Sequence, residues 1–125
     1  MLRRRGCNRV GEGVMIARLW RGRVPLAQAD AYEGYLHRTG IPDYLATAGN
    51  RGAWILRRAE GEVCHFLLIT LWDSMQAIEA FAGVPADRAR YYPEDDEFLL
   101  EREPAVVHYD VTHGGPGFGP RAFSA

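Results

Sequence analysis

Apolar and polar residues alternate in four places along the chain and recur at helical spacing in two. VMIARLWRGRV (14–24) alternates and predicts a strand. Pro25 suits the first turn of a helix, and Leu26, Ala29, Tyr32 and Leu36 then follow at helical spacing, with Ala31 and Tyr35 beside them. Gly40 reads as the C-cap of that helix, with Pro42 preventing continuation. Residues 41–52 begin with a helical turn and end in loop. AWILRRA (53–59) and EVCHFLLITLW (62–72) are two further strands, joined by a tight turn at Glu60-Gly61. Asp73 can cap the next helix, with Gln76 completing a capping box. Met75, Ile78, Phe81 and Ala82 form its apolar face, and Gly83 ends it. Residues 84–103 form a long excursion, Pro104 breaks it, and AVVHYDV (105–111) is the last strand. The order β-α-β-β-α-β predicts an α+β, ferredoxin-like domain with an antiparallel four-stranded sheet.

The ends differ from this middle. Residues 1–13 carry Gly and Arg without periodicity and read as a disordered leader, which makes Met15 an alternative start. Residues 113–125, HGGPGFGPRAFSA, read as a flexible Gly/Pro-rich tail. The ordered domain is expected over 14–112.

Both faces of the third predicted strand are apolar: Val63, His65, Leu67, Ile69 and Leu71 on one, Cys64, Phe66, Leu68, Thr70 and Trp72 on the other. Two helices cover one face of a four-stranded sheet. The other face calls for a second copy, sheet against sheet, or for the 84–103 excursion or a tail; the symmetric homodimer is the expectation. In the first strand, the Met15, Ala17, Leu19 face suits packing under helices. That puts Arg18 and Trp20 on the dimer side or lining a cavity. The pattern leaves open which faces of the second and third strands meet the helices.

Composition narrows the classes further. The chain has 125 residues, with 15 basic residues against 16 acidic and a net charge of −1. Every basic residue other than His is Arg, and they are not clustered as a nucleic-acid surface requires. The apolar run near 63–72 is far short of the roughly 20 residues that span a membrane. Cys7 and Cys64 lack the spacing of a disulfide framework or zinc site, and the four His show no metal spacing, so no metal is expected. A reduced, cytoplasmic setting fits. The closing GGPGFGP lacks the Lys-Ser/Thr end of a phosphate loop.

MIARLW (15–20), Tyr35, LWDSMQAIEAFAG (71–83), YYPEDDEFL (91–99) and VVHYDV (106–111) together resemble the antibiotic biosynthesis monooxygenase domain. The resemblance implies pairing into a dimeric α+β barrel, with a pocket in each protomer between sheet and helices. It also implies an oxidoreductase class that includes monooxygenases using no metal or flavin on quinols, alongside haem-degrading members. Trp72 matches the Trp that lines the pocket in some members, where an aromatic wall suits a flat ligand; its other reading is a core Trp anchoring the second helix. The haem-degrading members carry an Asn in the first strand and a His in the second helix. This chain has neither, which disfavours haem degradation.

Oxygenation without a cofactor needs a base to ionise a phenol, after which the anion can reduce dioxygen; His suits that task near neutral pH. His108 is the candidate base. First and last strands are neighbours in this topology, which brings Arg18 beside it, where a cation holds the imidazole neutral or steadies an oxyanion. The competing reading is a buried polar cluster of Arg18, His108 and Asp110. Trp20, Trp72, His65 and Tyr91 are the candidate ligand-binding residues. His65 is also read as a satisfied strand residue. The Tyr91 and Tyr92 phenols can each reach a pocket edge and bind a ligand oxygen, the other reading being packing beneath the excursion. His37 and His113 read as exposed. The expectation is a cofactor-independent monooxygenase for an aromatic metabolite, or a non-catalytic, ligand-binding or stress-related barrel dimer.

Overall fold

The computed structural model describes residues 15–114; the leader, Cys7 and nearly all of the tail lie outside the described residues. The elements are β1 (Ile16–Pro25), a 3-10 turn (Leu26–Gln28), α1 (Ala29–Arg38), α2 (Gly40–Ala46), β2 (Asn50–Glu60), β3 (Val63–Trp72), α3 (Met75–Ala82), a 3-10 turn (Pro93–Glu97) and β4 (Val107–Asp110). The sheet has the order β2-β3-β1-β4 and its pairs are antiparallel. This is the expected ferredoxin-like arrangement. Among the described residues no helix is long and apolar enough to cross a membrane.

The registers place the chemistry. Arg18 lies opposite Thr70 on β3 and opposite His108 on β4, and Trp20 lies opposite Leu68. The helices cover the face that carries Ile16, Trp20, Val24, Cys64, Phe66, Leu68 and Trp72, which join Tyr32, Leu36, Tyr44, Ile78 and Phe81 in one core. The expected orientation of β1 is therefore reversed. Arg18 and Trp20 point under the helices, while Ala17 and Leu19 join Trp54, Leu71, Met15 and Val111 in a smaller cluster on the opposite face. The physical reason is size. The layer under the helices is filled by large rings, and Trp20 contributes such a ring where Ala17 cannot. Gly22 makes room for it: a Cβ there would stand 2.3 Å from the Trp20 ring.

Three local readings change as well. Gly40 does not cap α1; it opens α2 after a break at Thr39, and Pro42 falls in the first turn of α2, where its missing N–H costs nothing. Ser74, not Asp73, caps α3, its Oγ accepting the Ala77 N–H at 3.1 Å, while Asp73 pairs with Arg51 at 2.8 Å. The last strand is shorter than 105–111, because the Val106 N–H goes to the Asp87 carbonyl at 2.8 Å and Ala105 bridges to Arg88. Gly49, at φ +91, lets the α2–β2 loop approach α3 closely, since a Cβ there would stand 2.5 Å from that of Ala77.

The excursion packs on the helix side of the sheet, with Tyr91 against Trp20 and Phe98 against Tyr32 and Tyr35. The opposite face of the sheet carries exposed apolar side chains: Leu56, Val107 and Tyr109, the last 55% exposed.

Candidate functional site

Arg18 is 2% exposed, and its surroundings are unusual for a buried cation. One Nη2 donates to the Arg88 carbonyl at 3.1 Å, and the guanidinium lies 5.5 Å from the Phe81 ring centre. Its Nε has no hydrogen-bond partner. Burial pulls its pKa down; the Tyr44 phenol opposes that, and Arg90 adds to it.

His108 is half-buried, and its Nε2 is buried without a hydrogen-bond partner. Burial lowers its pKa, Arg18 lowers it further, and Asp87 partly opposes both. The ring lines an open cleft of about 580 Å³ with Met75, Glu79, Pro85, Asp87 and Val106. The expected juxtaposition of Arg18 and His108 is therefore present, and both burial and the cation favour the neutral imidazole.

That neutrality carries a pH dependence. The fold disfavours the protonated ring, so the unfolded chain takes up this proton first as pH falls. The contribution of His108 is complete above the unfolded value of about 6.5 and is lost as pH drops below it toward the depressed folded value. Urea unfolding at pH 7.5 and 5 is expected to show a smaller acid loss in His108→Gln than in the unsubstituted protein. An identical loss in both would show that His108 does not carry it.

The remaining candidates separate. Trp72 is 0% exposed; its Nε1 donates to Thr70 Oγ1 at 2.8 Å, and its ring packs against Phe81 and Tyr44. It closes the corner between β3 and α3 and presents no surface to a ligand. Trp20, 6% exposed, lines a narrow inner cleft between sheet and helices with Tyr32, Leu36, Tyr44, Arg90 and Tyr92. Tyr91 stands edge-on to Trp20, and its hydroxyl donates to the Glu103 carbonyl at 2.5 Å. His65 is remote from all of these. It lies on the open face against Glu60 at 2.8 Å, in a groove of about 610 Å³ with Arg21, Arg23, Arg58 and Leu67. No cluster of three or more His, Cys, Asp or Glu suited to a metal occurs among the described residues.

Sequence reasoning singled out Tyr92 but passed over Asp43 and Arg90 beside it at the mouth of the inner cleft. Asp43 in α2 accepts a hydrogen bond from the Tyr92 hydroxyl, and Arg90 Nη2 stands 3.7 Å from the same carboxylate. Nothing in a linear pattern joins residues 43, 90 and 92. Asp95, 4% exposed, closes the strap behind them by accepting the Tyr92 N–H at 2.6 Å. Burial raises its pKa.

The fold is a ferredoxin-like α+β domain shared with solved structures that include an antibiotic biosynthesis monooxygenase-like protein. Rv0793 from Mycobacterium tuberculosis superposes with a TM-score of 0.55 at 21% identity, over 80% of this chain and 97% of that one. A provisionally assigned antibiotic biosynthesis monooxygenase from Bacillus cereus superposes with a TM-score of 0.56 at 17% identity, over 82% of this chain and 96% of that one. No protein-family model matches the chain, and no curated protein matches it in sequence.

Proposed function

We propose that the protein is a small cofactor-independent monooxygenase acting on an aromatic, quinol-like metabolite, with His108 as the base. The observation that carries this reading is an imidazole lining an open cleft, its pKa lowered by burial and then by the buried Arg18 on the neighbouring strand. A phenol bound there gives its proton to His108. The phenolate passes one electron to dioxygen, and the resulting radical pair combines at a ring carbon bearing hydrogen. Loss of water from the hydroperoxide leaves a quinone. One oxygen atom enters the product, the other leaves as water, and the substrate supplies all the electrons. Arg18 is sealed from the cleft's solvent and acts through His108, which makes it a positioning residue. The B. cereus neighbour's description agrees with this class.

The working unit is proposed to be a homodimer formed through the open sheet face. Val107, Tyr109 and Leu56 are too apolar and too contiguous with the Ala17, Trp54, Leu71 cluster to suit solvent.

The test is oxygen uptake with a panel of hydroquinones and naphthols. Turnover is expected, and His108→Gln is expected to lower kcat about 100-fold or more. Saturable binding without uptake would replace this reading by a non-catalytic ligand-binding dimer.

A further inference from the structure

We propose that the outer cleft beside His108, between α3, residues 84–87 and β4, binds an organic cation, an ammonium group on an apolar body, and that Glu79 and Asp87 hold its charge. This deepens the oxygenase reading and rests on its choice of cleft, since it names the charge of what that cleft admits.

The backbone sets both carboxylates at the cleft. Glu79 stands one turn after Met75 on α3, so the two side chains share the helix face that lines it. Asp87 is fixed from the other side: its carbonyl accepts the Val106 N–H at 2.8 Å, and the next residue, Arg88, bridges to Ala105. Its charge is felt at the His108 ring. Elsewhere arginines take up the exposed carboxylates, Arg23 that of Glu101 at 2.6 Å, Arg51 that of Asp73 at 2.8 Å and Arg102 that of Asp96 at 2.7 Å. Among the described residues, neither Glu79 nor Asp87 has such a partner. Glu79 also sits in the last turn of α3, where the carbonyl end of the helix disfavours negative charge and no basic residue relieves it. A bound cation completes this arrangement.

The rest of the wall is apolar. Met75, Val84, Pro85, Val106 and Val107 line the cleft, and Val84 and Val107 are 78% and 49% exposed, so uncovered methyl groups share one space with the two charges. The lining includes a further unsatisfied group, His108 Nε2, buried with no hydrogen-bond partner. Arg18, opposite His108 on β1, is 2% exposed and does not line the cleft. At about 580 Å³ there is room for a small-molecule ligand. The chemistry selects its class. An anion is repelled by both carboxylates. A neutral apolar molecule covers the valines and leaves the charges unpaired, and a hydrated inorganic cation does the reverse. An organic ammonium does both.

The probes share one ring and differ in charge: 4-fluorobenzylamine as the ammonium, 4-fluorotoluene as the neutral form and 4-fluorophenylacetate as the anion, titrated at pH 7.5 and followed by 19F NMR. At low ionic strength the ammonium is expected to bind about tenfold more tightly than 4-fluorotoluene, and the anion more weakly than either. Glu79→Gln and Asp87→Asn are each expected to cut that preference about threefold and together to abolish it, with 4-fluorotoluene binding unchanged. Equal binding of the ammonium and 4-fluorotoluene would overturn the proposal. So would no binding by any of the three, or a preference that survives the double substitution. Both residues are exposed, so the variants are expected to fold, which circular dichroism checks. Should one not fold, salt decides in the unsubstituted protein: the preference is expected to shrink as salt is added, and a preference indifferent to salt overturns the proposal. Oxygen uptake is a separate readout. A charge preference without turnover of any hydroquinone keeps the cation site and removes the oxygenase, and turnover without a charge preference does the opposite.

Discussion

Trp72→Ala is expected to destabilise the domain by about 3–5 kcal/mol, the largest loss from any single truncation in β3. The indole is 0% exposed at the end of β3, opposite Ile16 on one side and Asn50 on the other. Its ring centre lies 5.7 Å from that of Phe81 in α3 and 6.4 Å from that of Tyr44 in α2, so one side chain ties the sheet to two helices. Truncation opens a cavity that neither helix can collapse into without leaving the other. It also removes the donor to Thr70 Oγ1 at 2.8 Å, leaving a buried hydroxyl with only its bond to the Arg18 carbonyl at 3.4 Å. Against a total stability of about 5–15 kcal/mol, such a loss shifts Tm by more than about 10 °C. Trp72→Phe keeps a ring in place and is expected to cost less than half as much. Urea unfolding followed by far-ultraviolet circular dichroism measures both. A loss below about 1 kcal/mol for Trp72→Ala would mean that the corner is held by something else and that the indole is free to serve a ligand.

The Trp at this junction shows what the sequence makes legible. Alternation along 62–72 and the β-α-β-β-α-β order lead to the right sheet because strand pairing follows patterns a few residues long. The antiparallel register then follows from the tight turn at Gly61, whose φ of +59 suits glycine. The neighbourhood of Arg18 and His108 was legible for the same reason: it depends on topology alone. The inner face of β1 was not. Met15, Ala17 and Leu19 suit packing under the helices, which puts Arg18 and Trp20 on the dimer side or lining a cavity, yet the helix layer needed the bulk of Trp20, and Arg18 follows by period two. Asp43, Arg90 and Tyr92 were illegible for a different reason. They meet through the irregular strap between α3 and β4, where no periodicity ties sequence to position.

Arg18→Met is expected to stabilise the protein while shifting the pH dependence of the proposed chemistry. A buried guanidinium carries a large desolvation cost, and burial is the largest influence on Arg18. Its compensation is one carbonyl of Arg88, the face of Phe81 and the Tyr44 phenol, with Nε left unpartnered. Met approximates the length and volume of the aliphatic stem and leaves no charge to solvate. Replacing buried charge by a well-packed apolar side chain has gained about 1–4 kcal/mol elsewhere, so a gain of about 1 kcal/mol or more is expected despite the lost bond to Arg88. The second consequence reaches His108. Removing the cation that lowers its pKa lets that pKa rise toward the ordinary value, so more of the imidazole is protonated below neutrality. In oxygen-uptake assays the acid limb of the pH profile is therefore expected to move to higher pH in Arg18→Met, with little change in the plateau where His108 is neutral in both. A variant that gains stability and loses activity only at acid pH would explain why a strand this central holds a buried cation: the fold gives up stability to keep a base unprotonated. A variant that unfolds would instead make Arg18 a structural anchor, and an unmoved profile would detach it from His108.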